Sequence, residues 1–87
     1  MEKKEFINDI LELGKFYFLN EKYDEAIQTF QRCIDLDPQL AQAYYNLGLV
    51  YETKNEHSLA KEMYRKAVEL DPKFNLAQEH LERLVGN

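Results

Sequence analysis

The chain has 87 residues, of which 45% are hydrophobic and 31% are charged, so it is large enough for one small domain and too apolar for a disordered segment. Its net charge of −5 argues against nucleic acid or an anionic membrane as a partner, because both attract basic surfaces. No apolar run approaches the roughly 20 residues that cross a bilayer, so no membrane insertion is expected.

The first 40 residues contain two amphipathic segments. In segment 3–19 the apolar residues recur every three or four positions, which predicts a helix, and the polar residues 20–22 interrupt it. Segment 23–36 has the same period. It ends at Asp37 because the following Pro38 disfavours helical backbone in the residue before it.

The rest of the chain continues in the same way. Segments 41–53 and 57–70 predict a third and a fourth helix, the latter closed by Pro72, and segment 75–85 predicts a fifth. No segment alternates as a strand would. The sequence therefore predicts an all-α protein, and the short breaks within each pair of helices predict antiparallel hairpins.

Several residues recur at an interval of 34 positions. The matched pairs are Gly14 and Gly48, Tyr17 and Tyr51, Ala26 and Ala60, Phe30 and Tyr64, and Pro38 and Pro72. A fixed interval indicates one structural unit that is made twice and stacked.

The two glycines lie in the middle of predicted helices. Glycine there costs about 1 kcal/mol relative to alanine. We expect a close approach of two helices to compensate, with Gly14 leaving room for Phe30 and Gly48 for Tyr64. A local break of the helix at glycine is the alternative.

With these residues the chain resembles the tetratricopeptide repeat (TPR) family, although Ile10 and Tyr44 stand where the signature has its first large aromatic residue. The resemblance implies a single domain over 1–87, with repeats at 7–40 and 41–74 and a capping helix at 75–85. The implied fold is a TPR α-solenoid of stacked antiparallel helical hairpins in a right-handed superhelix. The implied function is a protein–protein interaction module or scaffold that binds a peptide or helix in a concave groove.

In the family the first helix of each hairpin lines this groove. By repeat position and by exclusion from the signature core, the predicted groove residues are Asn8, Leu11, Glu12, Lys15, Phe18, Gln42, Tyr45, Asn46, Leu49, Glu52 and His80. Four of them are large and apolar, and an apolar patch rimmed by polar groups suggests a binding site. Scattered apolar surface without a ligand is the alternative.

Tyr45 and Leu49 are the predicted anchors, since they lie four residues apart on one helix face. Leu11, the 34-residue counterpart of Tyr45, is expected beside them, and Asn46 is expected to hydrogen-bond a peptide backbone. Tyr45 is expected to contribute little to folding, because the core is assigned to Tyr44, Leu47 and Tyr51.

Some TPR proteins grip the acidic C-terminal tails of heat-shock chaperones with two Lys, two Asn and one Arg. By repeat position these places fall at Leu11, Lys15, Asn46, Leu76 and His80. Only Asn46 matches in type, so we expect no tight binding of such tails.

The chain has no catalytic constellation and no metal-ligand spacing, so we expect neither an enzyme nor a metal or other cofactor. His57 and His80 are interpreted as surface residues. The single cysteine, Cys33, occupies the place of Ala67 in the next repeat and is expected to be buried and unreactive rather than a nucleophile. An unpaired cysteine fits a reducing, cytoplasmic location.

The two ends of the array suggest a second hypothesis. Asp9 and Glu82 replace small residues of the repeat and are interpreted as caps. The apolar residues Phe6, Ile7 and Phe16, however, are expected to leave an adhesive N-terminal face. The alternative function is therefore a homo-oligomer, a TPR module whose main contact is with itself.

Overall fold

The structure is a computed structural model that describes the backbone of residues 3–86 and the side chains of residues 6–86. The predicted domain also includes residues 1, 2 and 87, which lie outside the described part.

Five helices account for most of the described residues. They are α1 (Lys3–Leu19), α2 (Tyr23–Leu36), α3 (Ala41–Thr53), α4 (His57–Leu70) and α5 (Asn75–Val85). No strand occurs within residues 3–86. The all-α prediction and the predicted helix bounds are confirmed.

The helices form two stacked hairpins and a final single helix. α1 packs against α2 and α3 against α4, while α2 contacts α3 and α4 contacts α5 across the junctions. The result is an elongated body of 44 × 28 × 17 Å. Because the stacking runs along the chain, residues of α1, α3 and α5 that are 34 positions apart take equivalent places.

The turn within each hairpin has the same geometry. Glu21 has a φ of 61° and Asn55, 34 positions later, has a φ of 64°. The next backbone N–H donates to the carbonyl of Tyr17 at 2.9 Å in the first hairpin and of Tyr51 at 2.8 Å in the second. A single left-handed residue thus ends one helix and reverses the chain into the next.

The glycines allow the two helices of each hairpin to approach closely, as predicted. A Cβ atom placed on Gly14 would lie 2.5 Å from Cε1 of Phe30, and one on Gly48 would lie 2.7 Å from Cδ1 of Tyr64. Both rings are buried, with 1% and 0% of their surface exposed.

Cys33 is fully buried in the core shared by α1, α2 and α3, which confirms the predicted burial. Burial raises the pKa of its thiol, and the nearby Arg32 only partly opposes this effect. A thiol in such surroundings is mostly protonated at neutral pH.

Two predictions about α1 are wrong. Ile7 was expected on an exposed N-terminal face and Leu11 in the groove, but their exposed fractions are 5% and 3%. The physical reason is that they share a helix face with Gly14, the residue that faces Phe30 of α2. The core cluster that contains Leu11 also includes residues of α3, so the second hairpin helps to cover Leu11.

Candidate functional site

All eleven predicted groove residues lie on the first helices, α1, α3 and α5. Asn8, Glu12 and Gln42 are exposed; Lys15, Phe18, Tyr45, Leu49, Glu52 and His80 are partly exposed; and Leu11 and Asn46 are buried. We keep the name groove for this set without Leu11.

Tyr45 lies at the centre of an aromatic cluster that joins α3, α4 and α5. Its ring centroid is 4.9 Å from that of Phe74, 5.9 Å from that of Tyr64 and 5.7 Å from that of His80, which it meets edge to face. Contacts of this kind stabilise the fold beyond the area they bury. These contacts oppose the expectation that Tyr45 contributes little to folding, and we now expect its ring to stabilise the fold.

Glu52 accepts hydrogen bonds from two other helices. The hydroxyl of Tyr64 on α4 donates to its Oε1 at 2.8 Å, and Arg83 on α5 pairs with its Oε2. Nδ1 of His80 lies 3.3 Å from the same Oε1. The carboxylate thus connects the second hairpin to α5.

His80 is not the plain surface residue that the sequence suggested. Only 22% of its side chain is exposed. Its ring lies 5.3 Å from the Tyr64 ring, and its Nδ1 is 3.0 Å from Nη2 of Arg83. Docking of α5 against α4 places it in this cluster.

The network shifts two pKa values in opposite directions. Burial alone would raise the pKa of Glu52, but the hydrogen bonds from Arg83, Tyr64 and His80 outweigh it and leave the pKa below its usual value. Burial and the bond to Glu52 both raise the pKa of Tyr64. Glu52 is therefore ionised and Tyr64 protonated at neutral pH.

The charged side chains of the groove are largely compensated. Glu52 is paired with Arg83, and Nζ of Lys15 lies 3.2 Å from Oε2 of Glu12. Leu49 and Phe18 are partly exposed groove residues without charge. Such a surface suits a ligand with little net charge, since a strongly charged one would have to break existing pairs.

Asn46 is the one buried polar residue of the described core. Its side chain is 7% exposed, and within residues 6–86 its Nδ2 group has no hydrogen-bond partner. An unpaired buried donor costs roughly 1–3 kcal/mol, which an acceptor on a ligand would recover. Asn46 is the 34-residue counterpart of His80, so it lies in the same row of the groove.

The described residues contain neither of two other kinds of site. No group of three or more His, Cys, Asp or Glu side chains is placed to hold a metal ion. No described helix is both long enough and apolar enough to cross a membrane.

The sequence missed that Tyr64 and Phe74 take part in this site. Both belong to the repeat framework, Tyr64 as the aromatic residue opposite Gly48 and Phe74 as the residue before α5. The pairing of Glu52 with Arg83 joins residues 31 positions apart, and no local spacing indicates it. The only signal was that Glu52 is a predicted groove residue and that Arg83 is the 34-residue counterpart of another, Leu49.

Two family models match the chain. One, described as TPR repeat, matches residues 14–55, and the other, described as tetratricopeptide repeat, matches residues 41–74. Together they cover residues 14–74, which include both glycines, the aromatic residues opposite them and both prolines.

One curated relative and two solved structures illustrate the similarity. Protein HGV2 of Halocynthia roretzi is 31% identical over 86 residues, which is 88% of this chain and 17% of HGV2. The crystal structure of MamA superposes with a TM-score of 0.86 at 35% identity and covers 90% of this chain and 46% of that one. The first TPR of Spaghetti (RPAP3) bound to the HSP90 peptide SRMEEVD has a TM-score of 0.53 at 21% identity, with 92% and 90% coverage, a likeness of fold alone.

Proposed function

Because the chain belongs to the tetratricopeptide repeat family, we propose that it is a protein-interaction module that binds a partly apolar peptide or helix in its groove. It spans less than a fifth of HGV2, so the partners and activities of longer relatives do not transfer to it.

The observation that carries this proposal is the unpaired amide of Asn46. The Nδ2 group is buried in the free protein, so a peptide carbonyl reaches it only when a neighbouring side chain moves, and the new hydrogen bond then offsets the penalty of the unpaired donor. Binding is thereby favoured for a ligand that places backbone in the groove.

Apolar side chains supply the remaining affinity. Leu49 lies one helical turn after Tyr45, and Phe18 lies on α1 with its ring partly exposed. A few well-packed side chains, often aromatic, contribute most of the binding energy in many protein interfaces. The compensated charges around them favour a ligand of low net charge over an acidic or basic one.

Selection of 12-residue peptides from a random library tests the proposal. We expect apolar, nearly neutral peptides, whose affinity in fluorescence anisotropy falls at least about tenfold for Asn46→Ala and for Leu49→Ala. Leu59→Ala is the matched control, because Leu59 is 41% exposed on α4 outside the groove. If the selected peptides bound the unaltered chain and all three variants equally, the groove would not be the binding site.

Self-association remains the second candidate, because Phe6 and Phe16 are 39% and 59% exposed. Light scattering over a dilution series distinguishes it from peptide binding. A mass that rises with concentration at micromolar levels would favour it.

A further inference from the structure

An exposed apolar stripe runs along α1 beside its contact with α2. It consists of Phe6, Asp9, Leu13 and Phe16, which lie on one helix face. The three apolar side chains are 39%, 45% and 59% exposed. We call this set the α1 stripe; none of its members belongs to the groove.

Equivalent positions in α3 are covered. The 34-residue counterparts of Asp9, Leu13 and Phe16 are Ala43, Leu47 and Val50, which are 0%, 1% and 0% exposed. They lie in one cluster with residues of α2, the second helix of the preceding hairpin.

The same relation recurs at the other end of the molecule. In α5 the equivalent residues are Ala77, Leu81 and Leu84. Ala77 is fully buried and the two leucines are partly covered, because α4 packs against α5. In this molecule, then, these positions are twice covered by an amphipathic second helix.

A depression beside the α1 stripe lies where such a helix would pack. It has a volume of about 300 Å³ and is lined by Ile10, Leu13, Gln28, Thr29 and Arg32. The counterpart of Thr29 in the second hairpin is Met63, which packs against the core cluster shared by α1, α2 and α3. Arg32 lies at the edge of the stripe, with its guanidinium carbon 5.8 Å from the centre of the Phe6 ring.

We propose that the α1 stripe is a second docking surface, which binds an amphipathic helix of a partner protein in the position that α2 takes on α3. The partner helix places aliphatic side chains on Leu13 and Phe16. It also carries a lysine or arginine opposite Asp9, because that carboxylate stands where α3 and α5 have a fully buried alanine.

A second folded copy of this chain is a poor occupant. Its α2 and α4 already cover α3 and α5, so neither has a free face of the required kind. Its net charge is also −5, and like charges oppose contact at Asp9. A partner helix with an apolar face and basic residues beside it has a free face for the stripe and attracts Asp9.

The probe is a synthetic peptide of residues 56–71, held helical by a lactam between Glu62 and Lys66. These two side chains are exposed in the folded chain, so the link leaves the packing face free. The peptide reproduces α4, which covers α5 in the structure, and it carries Lys61 and Arg65 as cations. It is titrated into the full ¹⁵N-labelled chain.

We expect the backbone amide signals of α1 near Leu13 and Phe16 to shift. Leu13→Gln and Phe16→Gln should each weaken binding at least about tenfold, and Asp9→Lys should weaken it because the charge is reversed. Leu59→Gln, a leucine of similar exposure elsewhere, should change the affinity less than about twofold. The groove variant Leu49→Gln should also leave it unchanged, which separates this proposal from the proposed function.

Three results would overturn the proposal. The first is that the peptide shifts groove signals, and the second is that it binds Leu13→Gln as tightly as the unaltered chain. The third is dimerisation of the chain in sedimentation equilibrium at micromolar concentration that Leu13→Gln abolishes, since the stripe would then serve a second copy.

Discussion

Tyr45 contributes to the fold and, in our proposal, to binding. Its ring contacts Phe74, Tyr64 and His80, so Tyr45→Ala should lower the free energy of unfolding by about 1–3 kcal/mol. It should also weaken peptide binding by about 2 kcal/mol or more. Urea unfolding and fluorescence anisotropy with a selected peptide measure the two effects.

Tyr45→Phe is the control, because it keeps the ring and removes only the hydroxyl. We expect it to unfold and bind nearly as the unaltered chain does. If Tyr45→Ala changed stability but not affinity, the ring would belong to the fold alone.

Cys33 should be protected from thiol reagents. It is fully buried, and burial raises the pKa of its thiol, so modification requires local or global opening. We expect labelling at pH 8 to be at least about 100-fold slower in buffer than in denaturing urea. Labelling at the same rate in both conditions would contradict the burial.

The sequence indicated the core side of each helix better than the boundary of that core. Leu47, Cys33 and the glycines were assigned correctly, whereas Tyr44 and Tyr51 are only partly buried. Leu11 and Ile7 were not assigned correctly, because stacking of the next hairpin and the direction of Gly14 decide which neighbouring positions are covered. Periodicity predicts in which direction a side chain points from its own helix. It does not predict how far the neighbouring helix extends over that side chain.

At the scale of the helices, α5 is held by one charged group as well as by packing. Glu52 on α3 accepts hydrogen bonds from Tyr64 on α4 and pairs with Arg83 on α5. The sequence could not predict that these residues pair, because long side chains 31 positions apart meet only once the backbone is in place. The attachment of α5 should therefore depend on pH.

The pKa of Glu52 is lowered in the folded state, so its stabilising contribution is present above its usual pKa of 4.5 and is lost as the pH falls below that value. Glu52→Gln removes this contribution. We expect the difference in unfolding free energy between the unaltered chain and Glu52→Gln to be present at pH 7 and to shrink as the pH falls from about 4.5 towards 3.

Urea unfolding at each pH measures this difference. Glu69→Gln is the matched control, because the Glu69 side chain is 70% exposed and its carboxylate lies 3.9 Å from Nζ of Lys66. The difference in unfolding free energy between the unaltered chain and Glu69→Gln should be small at every pH. A difference for Glu52→Gln that stayed the same down to pH 3 would exclude Glu52 as the titrating group.

At the scale of the whole molecule, the 34-residue interval accounts for most of what could be predicted. It gave five helices, their bounds and the stacking of two hairpins, because each proline and each turn recurs at the same place. The ligand could not be predicted in the same way. Repetition specifies the framework, whereas the groove depends on side chains that differ between repeats, such as Glu12, Asn46 and His80.

The groove should not bind acidic chaperone tails tightly. Of the five clamp positions only Asn46 matches in type, and Lys15 is already paired with Glu12 at 3.2 Å. Binding two carboxylates requires several fixed hydrogen-bond donors, which offset the free-energy cost of removing water from the charged groups. We expect the peptide SRMEEVD to bind more weakly than about 100 µM in calorimetry.

The first TPR of Spaghetti (RPAP3), which binds this peptide in its structure, is the positive control. Binding of SRMEEVD to the present chain at 10 µM or tighter would contradict the assignment of the groove charges.

The central claim is that the groove receives a ligand whose acceptor reaches Asn46. The most direct measurement is the side-chain amide signal of Asn46 in ¹⁵N NMR spectra during titration with a selected peptide. A new hydrogen bond should move the Nδ2 proton downfield and slow its exchange with solvent, with smaller shifts at Leu49 and Tyr45. An Asn46 signal that stayed in place at saturation, while the peptide shifted other parts of the chain, would contradict the claim.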